Sequence, residues 1–264
     1  MSNLLLIQLL TSFIVGGSFI AFLSFAAEKA SEKTAGIIIA LPSTIAISLF
    51  FMGWALTPQK VAEAAPLLPL SIGIIMIFST IYIYLSKLKL KKIWSIIFCS
   101  ILSLSIWTLF SIPLAIFKFS NLTISILGYC ILASIAYYFL TIKPQAKPLP
   151  TLLKYSFKEK IIRACFSGFF IALAVFLSKT TGPFWGVVFS GFPVVFFSTL
   201  VIFHWHYDSA FLFRIYKNSP LGSIPLAIYP IVATFTFPIY GIFIGTLLSY
   251  FASLICFLII TKFL

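Results

Sequence analysis

Apolar runs of near-membrane length, separated by short polar interruptions rich in lysine, dominate this chain. Windows of about 19 residues pick out nine such runs, at 4–27, 35–55, 67–85, 93–117, 122–142, 161–177, 184–203, 221–240 and 241–260. A helix needs about 20 apolar residues to cross a hydrocarbon core of about 30 Å, so each run predicts one crossing. The last two form a single apolar stretch broken only at Pro238 and Gly241. One helix of that length would overshoot the bilayer, which requires two. The first run has no basic leader and no small-residue cleavage site, and reads as a retained helix.

A second pattern lies over the first. Shifting the sequence by 151 positions without a gap brings Gly17, Phe19, Ile20 and Ala21 onto Gly168, Phe170, Ile171 and Ala172. Further along, Pro42 falls on Pro193, Leu49 on Leu200, Trp54 on Trp205, and Pro69-Leu70 on Pro220-Leu221. Apolar segments match by chance more easily than polar ones, but glycine, proline and tryptophan are rarer and carry the signal. The expected fold is an all-α integral membrane protein of about nine transmembrane helices. Two inverted four-helix repeats, 1–118 and 161–264, are joined by 119–160, a linking helix and a basic cytoplasmic connector. Four crossings followed by one extra turn the second unit upside down, the plan of many secondary transporters.

Composition and charge agree. The chain is 61% hydrophobic and only 9% charged, against about 25% charged for soluble domains. Its formal net charge is +13, but the lysines sit between apolar runs, where anionic headgroups at the cytoplasmic face are the partner and nucleic acid is not. With alternate loops on alternate sides, fifteen Lys and Arg residues fall on one side and three (Lys60, Lys118, Lys179) on the other. The positive-inside rule then predicts a multi-pass protein of the cytoplasmic membrane, N-terminus outside and C-terminus in the cytoplasm. Cys99, Cys130, Cys165 and Cys256 all lie in apolar runs and form no CxxC pair, so they read as small hydrophobes.

The candidate chemistry clusters at the repeated prolines. Pro42 is followed by Ser43, Thr44 and Ser48; Ser190-Gly191-Phe192-Pro193 is followed by Ser198 and Thr199. A proline removes one backbone donor and frees the carbonyl four residues earlier. In lipid that carbonyl must find a neighbouring helix, a hydroxyl or a solute. Two readings stand: structural kinks with small residues for close packing, or a solute site near the midplane formed by Pro42, Ser43, Thr44, Ser48, Ser190, Gly191, Pro193, Ser198 and Thr199.

Acidic residues are few. Glu28 and Glu32, four apart, would share a helix face as a coupling or gate group if the first helix continues, and otherwise mark a solvated helix end. Glu63 suits the N-terminus of the third helix. No carboxylate falls deep in a span, which counts against a conventional proton relay. His204-Trp205-His206-Tyr207-Asp208 is the densest cluster. On a helix, His204 and Asp208 would share a face; in an extended stretch all three ligand types could converge on a metal. Trp205 and Tyr207 fit an interfacial aromatic belt, the favoured reading, so no metal site is expected. The 154–163 stretch reads as a basic helix lying on the cytoplasmic leaflet. There is no HExxH, P-loop or GxSxG motif, and neither an enzyme nor a cofactor is expected.

At Gly36-x5-Pro42-Ser-Thr and Ser190-Gly191-Phe192-Pro193, each half resembles the small GlpM-type inner-membrane proteins. Ala26-Ala-Glu28-Lys-x-Ser31, Phe51-Met-Gly53-Trp54 and Glu63-Ala-Ala also resemble larger polytopic proteins of unassigned function. The resemblance implies no substrate and no catalytic residue. The expected function is a small secondary transporter or exporter of an unknown small solute. A lipid carrier or flippase and a non-transporting structural subunit are the alternatives. A homo-oligomer is compatible with the sequence.

Overall fold

Backbone N–H and C=O groups cannot be left to lipid and must be satisfied within the segment that carries them. Accordingly, every element of the computed structural model, which describes residues 3–29, 42–143 and 156–261, is helical. In chain order these are α1 (Asn3–Lys29), α2 (Ser43–Ala55), α3 (Pro58–Ala64), a 3-10 turn (Ala65–Leu67) and α4 (Leu68–Leu85). They continue with α5 (Lys92–Ile116), α6 (Leu122–Tyr137, ending in a π turn at Tyr138–Ile142) and α7 (Phe157–Thr180). The rest are α8 (Pro183–Ser190), α9 (Val194–His206), α10 (Ser209–Tyr216), α11 (Ser219–Gly222) and α12 (Ile224–Ile260).

Among the described residues, seven stretches are long and apolar enough to cross a membrane: Asn3–Leu23, Pro58–Leu85, Lys92–Ile116, Leu122–Ile142, Phe157–Thr180, Pro183–His206 and Ser219–Ile260. α2 is apolar but only 13 residues long. The protein is therefore an all-helical, multi-pass membrane protein. Its middle is built on α4, where Leu68, Ile72, Met76, Phe78, Tyr82 and Ile83 are fully buried. Leu49 and Met52 of α2 and Val187 and Val188 of α8 close on the same core. Exposed apolar side chains cover α1, α5, α6 and α12, among them Leu10, Ile101, Leu127 and Leu247, as a lipid-facing surface requires.

The 42-residue stretch Ser219–Ile260 would extend about 60 Å if straight, and it does not stay straight. Gly241, at φ 72° and ψ −176°, leaves helical geometry, and the chain folds back on itself. Thr236 meets Ser249 at 3.2 Å, Tyr229 meets Tyr250 with ring centroids 5.4 Å apart, and the Ser253 hydroxyl donates to the Pro225 carbonyl at 2.9 Å. Partner numbers that rise on one limb as they fall on the other define an antiparallel hairpin. The two runs expected from 221 to 260 are thus two limbs. Pro230 and Pro238 lie within helix, so the break comes from glycine alone.

α1 and α7 cross where each carries a glycine. A Cβ on Gly168 would lie 2.6 Å from the Phe13 carbonyl oxygen, and one on Gly17 would lie 2.9 Å from that of Ala164. Only glycine permits this approach of two backbones. The contact is reciprocal: Phe13 and Ala164 are 151 apart, as are Gly17 and Gly168, so each helix offers its partner the same surface. The same shift recurs in the helix boundaries. Pro42 precedes α2 at φ −74°, ψ 48°, and Pro193 precedes α9 at φ −74°, ψ 47°. Both helices run 13 residues. Thr57 and Asp208 then cap α3 and α10, accepting from the N–H groups of Lys60 and Phe211.

Basic segments gather at one end of the bundle. The Lys87 ammonium lies 4.1 Å from the Phe213 ring centroid, the Thr141 hydroxyl donates to the Lys217 carbonyl, and His206 pairs with Glu159 at 3.0 Å. The 154–163 reading needs correction. α7 begins at Phe157 because Ser156 and Glu159 form a reciprocal capping box, which draws Lys160 and Arg163 into the helix. Both are buried, at 6% and 7% exposure, rather than resting on a leaflet. Lys160 lies over the Phe25 ring of α1 at 4.3 Å, and Arg163 donates to the Thr199 hydroxyl at 2.9 Å.

Candidate functional site

The proline break at Pro193 lies wholly within the described residues and separates α8 from α9. The Val194 N–H turns to the Phe192 carbonyl at 2.7 Å, away from the Ser190 carbonyl that a continuous helix would give it. Phe192 N–H bonds to the Phe189 carbonyl at 3.1 Å, closing α8 with a tight turn. Small residues allow this turn to press on α4: a Cβ on Gly191 would lie 2.8 Å from Ser71 Oγ and 3.2 Å from Leu68 Cδ2.

Around the break the walls are aromatic. Phe192 stacks on Phe170 of α7 with centroids 3.8 Å apart, and Trp107 of α5 stands edge-on to Phe192 at 4.9 Å. Phe166 and Phe189 complete the cage. Beside the break, at Ser71 and Trp107, and one turn to either side of Trp107 along α5, lie polar atoms whose bonding capacity is not spent. Ser71 Oγ, Ser103 Oγ, Ser111 Oγ and the Trp107 indole N–H are buried and have no partner among the described residues. An unmade buried hydrogen bond costs about 1–3 kcal/mol, so Ser71 and Trp107 beside the break, with Ser103 and Ser111 on the turns flanking Trp107, have capacity to bond a ligand. The set contains donors and hydroxyls and no charge, which suits a neutral or zwitterionic molecule carrying hydrogen-bond acceptors.

The other predicted site residues are placed as follows. Pro42, Ser43 and Ser48 are buried and Thr44 is half-buried at the start of α2. Residues 30–41 lie outside the described residues, so the described part of the first break is its α2 side. Ser190 and Ser198 hydroxyls turn back onto their own helices, donating to the Val187 and Val195 carbonyls. Thr199 is engaged by Arg163. The breaks therefore do not supply a uniform ring of free hydroxyls. The unengaged groups come from α4 and α5, which sequence reading passed over. Their signal was present: Ser95, Cys99, Ser103, Trp107, Ser111 and Ala115 recur every four residues on α5, one small or polar face on a helix otherwise turned to lipid.

Glu28 falls in the last turn of α1, while Glu32 lies outside the described residues, as does any pairing of the two. Glu63 is exposed in the second turn of α3 rather than at its N-terminus, where Thr57 provides the cap. His204, His206 and Asp208 do not share a face, because α9 ends at His206 and residues 207 and 208 are extended. Each is committed elsewhere. His204 is buried, with Tyr82 Oη 3.3 Å from Nδ1 and Ser95 Oγ 3.4 Å from Nε2. His206 pairs with Glu159, and Asp208 caps α10. Trp205 and Tyr207 are exposed, as a belt position implies.

Comparison of the chain with protein-family models, with curated proteins and with solved structures finds no match in any of the three.

Proposed function

We propose that this protein is a small secondary transporter of the cytoplasmic membrane, built from two inverted four-helix repeats of nine crossings in all, with α6 as the link. The observation that carries the reading is the reciprocal geometry of positions 151 apart. It includes the Gly17–Gly168 crossing, the twin proline caps at Pro42 and Pro193, and the matched caps at Thr57 and Asp208. Two similar halves of opposite orientation can exchange inward- and outward-facing shapes at little energetic cost, which is the working principle of alternating access.

The solute is neutral or zwitterionic and binds at the break between α8 and α9. Ser71, Ser103, Ser111 and the Trp107 N–H supply hydrogen bonds, and Phe170 and Phe192 supply the walls. The proline breaks lend mobility, since Pro193 has already removed one rung of the helical ladder.

The test is thermal unfolding of purified protein in detergent against sugars, polyols, amino acids and nucleosides. A solute held only by the native state at 100 times its dissociation constant stabilises it by about 2.7 kcal/mol. Ser71→Ala and Trp107→Phe should abolish that shift. Ser71→Ala should also leave unliganded stability unchanged or raise it, because it removes an unsatisfied hydroxyl. A panel without any response, or a response that both variants retain, would reject the solute site.

A further inference from the structure

At the end of the bundle that carries the Lys87–Lys92 loop, a cavity of about 670 Å³ opens between α5, α9 and α10. Lys92, Ser95, His204, His206, Asp208 and Arg214 are among its lining residues. We propose that this cavity binds a phosphate group through Lys92, Arg214 and the N-terminus of α5.

The electrostatics of the cavity are one-sided. Its one lining acid, Asp208, already accepts from the Phe211 N–H at 2.9 Å as the cap of α10. His206 already faces the carboxylate of Glu159. Among the described residues, neither Lys92 nor Arg214 has a carboxylate partner. Two cations and one carboxylate that is turned to a helix cap therefore share the opening, and the balance is positive.

The backbone adds to them. α5 is 25 residues long, and its N-cap, Lys91, makes no side-chain capping bond. The Ser95 N–H is spent on the Lys91 carbonyl at 2.9 Å, and the N–H groups of Lys92, Ile93 and Trp94 stand at the positive end of a long helix dipole with no cap from the Lys91 side chain. Lys92 and Ser95, from that first turn, both line the cavity. By contrast, the helix N-terminus at α10 is satisfied by Asp208, which leaves α5 as the one available for an anion.

The floor is built rather than loose. Ser86, Ser95 and His204 line the cavity and are each more than nine-tenths buried. The His204 ring is fixed between Tyr82 and Ser95. A phosphate brings several acceptor oxygens, which match the planar donor fork of Arg214 and the point charge of Lys92.

Two sources could bring the phosphate: a free anion or the headgroup of an acidic lipid. Leu88, Leu90 and the stacked Tyr207–Phe211 pair, with centroids 3.9 Å apart, form an apolar rim. A lipid would use both rim and floor, whereas a free phosphate would use the floor alone.

The experiment measures the unfolding midpoint of the full-length protein in an uncharged detergent. It is titrated with inorganic phosphate, with dihexanoyl phosphatidate, and with sodium chloride at matched ionic strength. The expected result is a saturable rise with phosphatidate, with inorganic phosphate, or with both. A rise with phosphatidate alone identifies a lipid headgroup, and a rise with both at similar concentrations identifies phosphate itself as sufficient; either supports the site. The Lys92→Gln, Arg214→Gln double variant should weaken binding about tenfold or more. Both side chains are exposed, so its unliganded midpoint should stay close to that of the parent. The control Lys118→Gln, Lys179→Gln removes two other exposed lysines and should keep the full response. No rise with either phosphate compound, a rise that sodium chloride reproduces, or a rise that survives in the Lys92, Arg214 double variant would overturn the proposal.

Discussion

Two reciprocal glycine contacts decide how closely α1 and α7 approach. The Cβ of an alanine at 168 would lie 2.6 Å from a backbone oxygen, and backbone cannot rotate away as a side chain can. Gly168→Ala should therefore lower stability by about 1–3 kcal/mol, the usual range for overpacking a tight contact. Gly222→Ala, where nothing lies within 4 Å of the added atom, should be close to neutral. Thermal unfolding of both variants in the same detergent checks the contrast, and equal midpoints would remove the argument. Arg163 makes a second case at this scale. Its guanidinium is buried and donates to Thr199, so Thr199→Val, which keeps shape and removes the acceptor, should cost about 1–3 kcal/mol. Thr199 is legible in the sequence as a hydroxyl near a proline break. Arg163 is not, because it closes a basic stretch, 154–163, whose charges suit a leaflet surface equally well. The cue that corrects it, Ser156-Phe-Lys-Glu159, is a capping-box pattern that fixes where α7 starts and so which lysines and arginines lie inside it.

Among the elements, the prolines do not all act alike. Pro193 separates α8 from α9, yet Pro113, Pro230 and Pro238 sit inside helices without ending them. The difference lies in the neighbours. Gly191 lets the turn before Pro193 pack onto Ser71 and Leu68, and no equivalent small residue precedes Pro230. Where the chain must reverse completely, Gly241 adopts φ 72° and ψ −176°, a region that side chains rarely tolerate. Nothing lies within 4 Å of the position its Cβ would take, so the penalty of substitution is purely conformational. Gly241→Ala should cost about 1–3 kcal/mol and lower the unfolding midpoint, and an unchanged midpoint would mean that the hairpin does not depend on that conformation. The two-limb arrangement itself was legible, because no bilayer accommodates a straight helix of that length. The polar face of α5 was also written in the sequence, as a four-residue spacing. It went unread because serine and tryptophan carry no charge to draw attention inside an apolar run.

At the scale of the whole molecule, the shift of 151 positions links sequence to geometry more tightly than composition bias alone would produce. Helix starts and cap partners coincide from Pro42 to Pro58 and from Pro193 to Ser209, and the backbone angles match at the two prolines and part company at Leu56 and Tyr207 (ψ −106° against 178°); few side chains in those stretches are identical. The chemistry at positions 151 apart differs. Gln8 donates to the Trp54 carbonyl at 3.4 Å, while its equivalent, Glu159, pairs with His206; buried Ser12 and Ser48 stand where Arg163 and Thr199 meet. The charge lies in the second half, beside the basic end of the bundle. That is the distribution expected if the equivalent point of the first half faces the opposite, lysine-poor side. Gln59 and Ala210 are equivalent under the shift, and both are exposed. In a background with the four cysteines replaced, Gln59→Cys and Ala210→Cys should react with a membrane-impermeant maleimide from opposite sides. Gln59→Cys should label in intact cells, and Ala210→Cys only after the membrane is opened. Inverted halves require this opposition, because five crossings separate the two positions. Labelling of both from the same side would mean an even number of crossings between them, and with that the two halves would be parallel and the alternating-access reading would lose its basis.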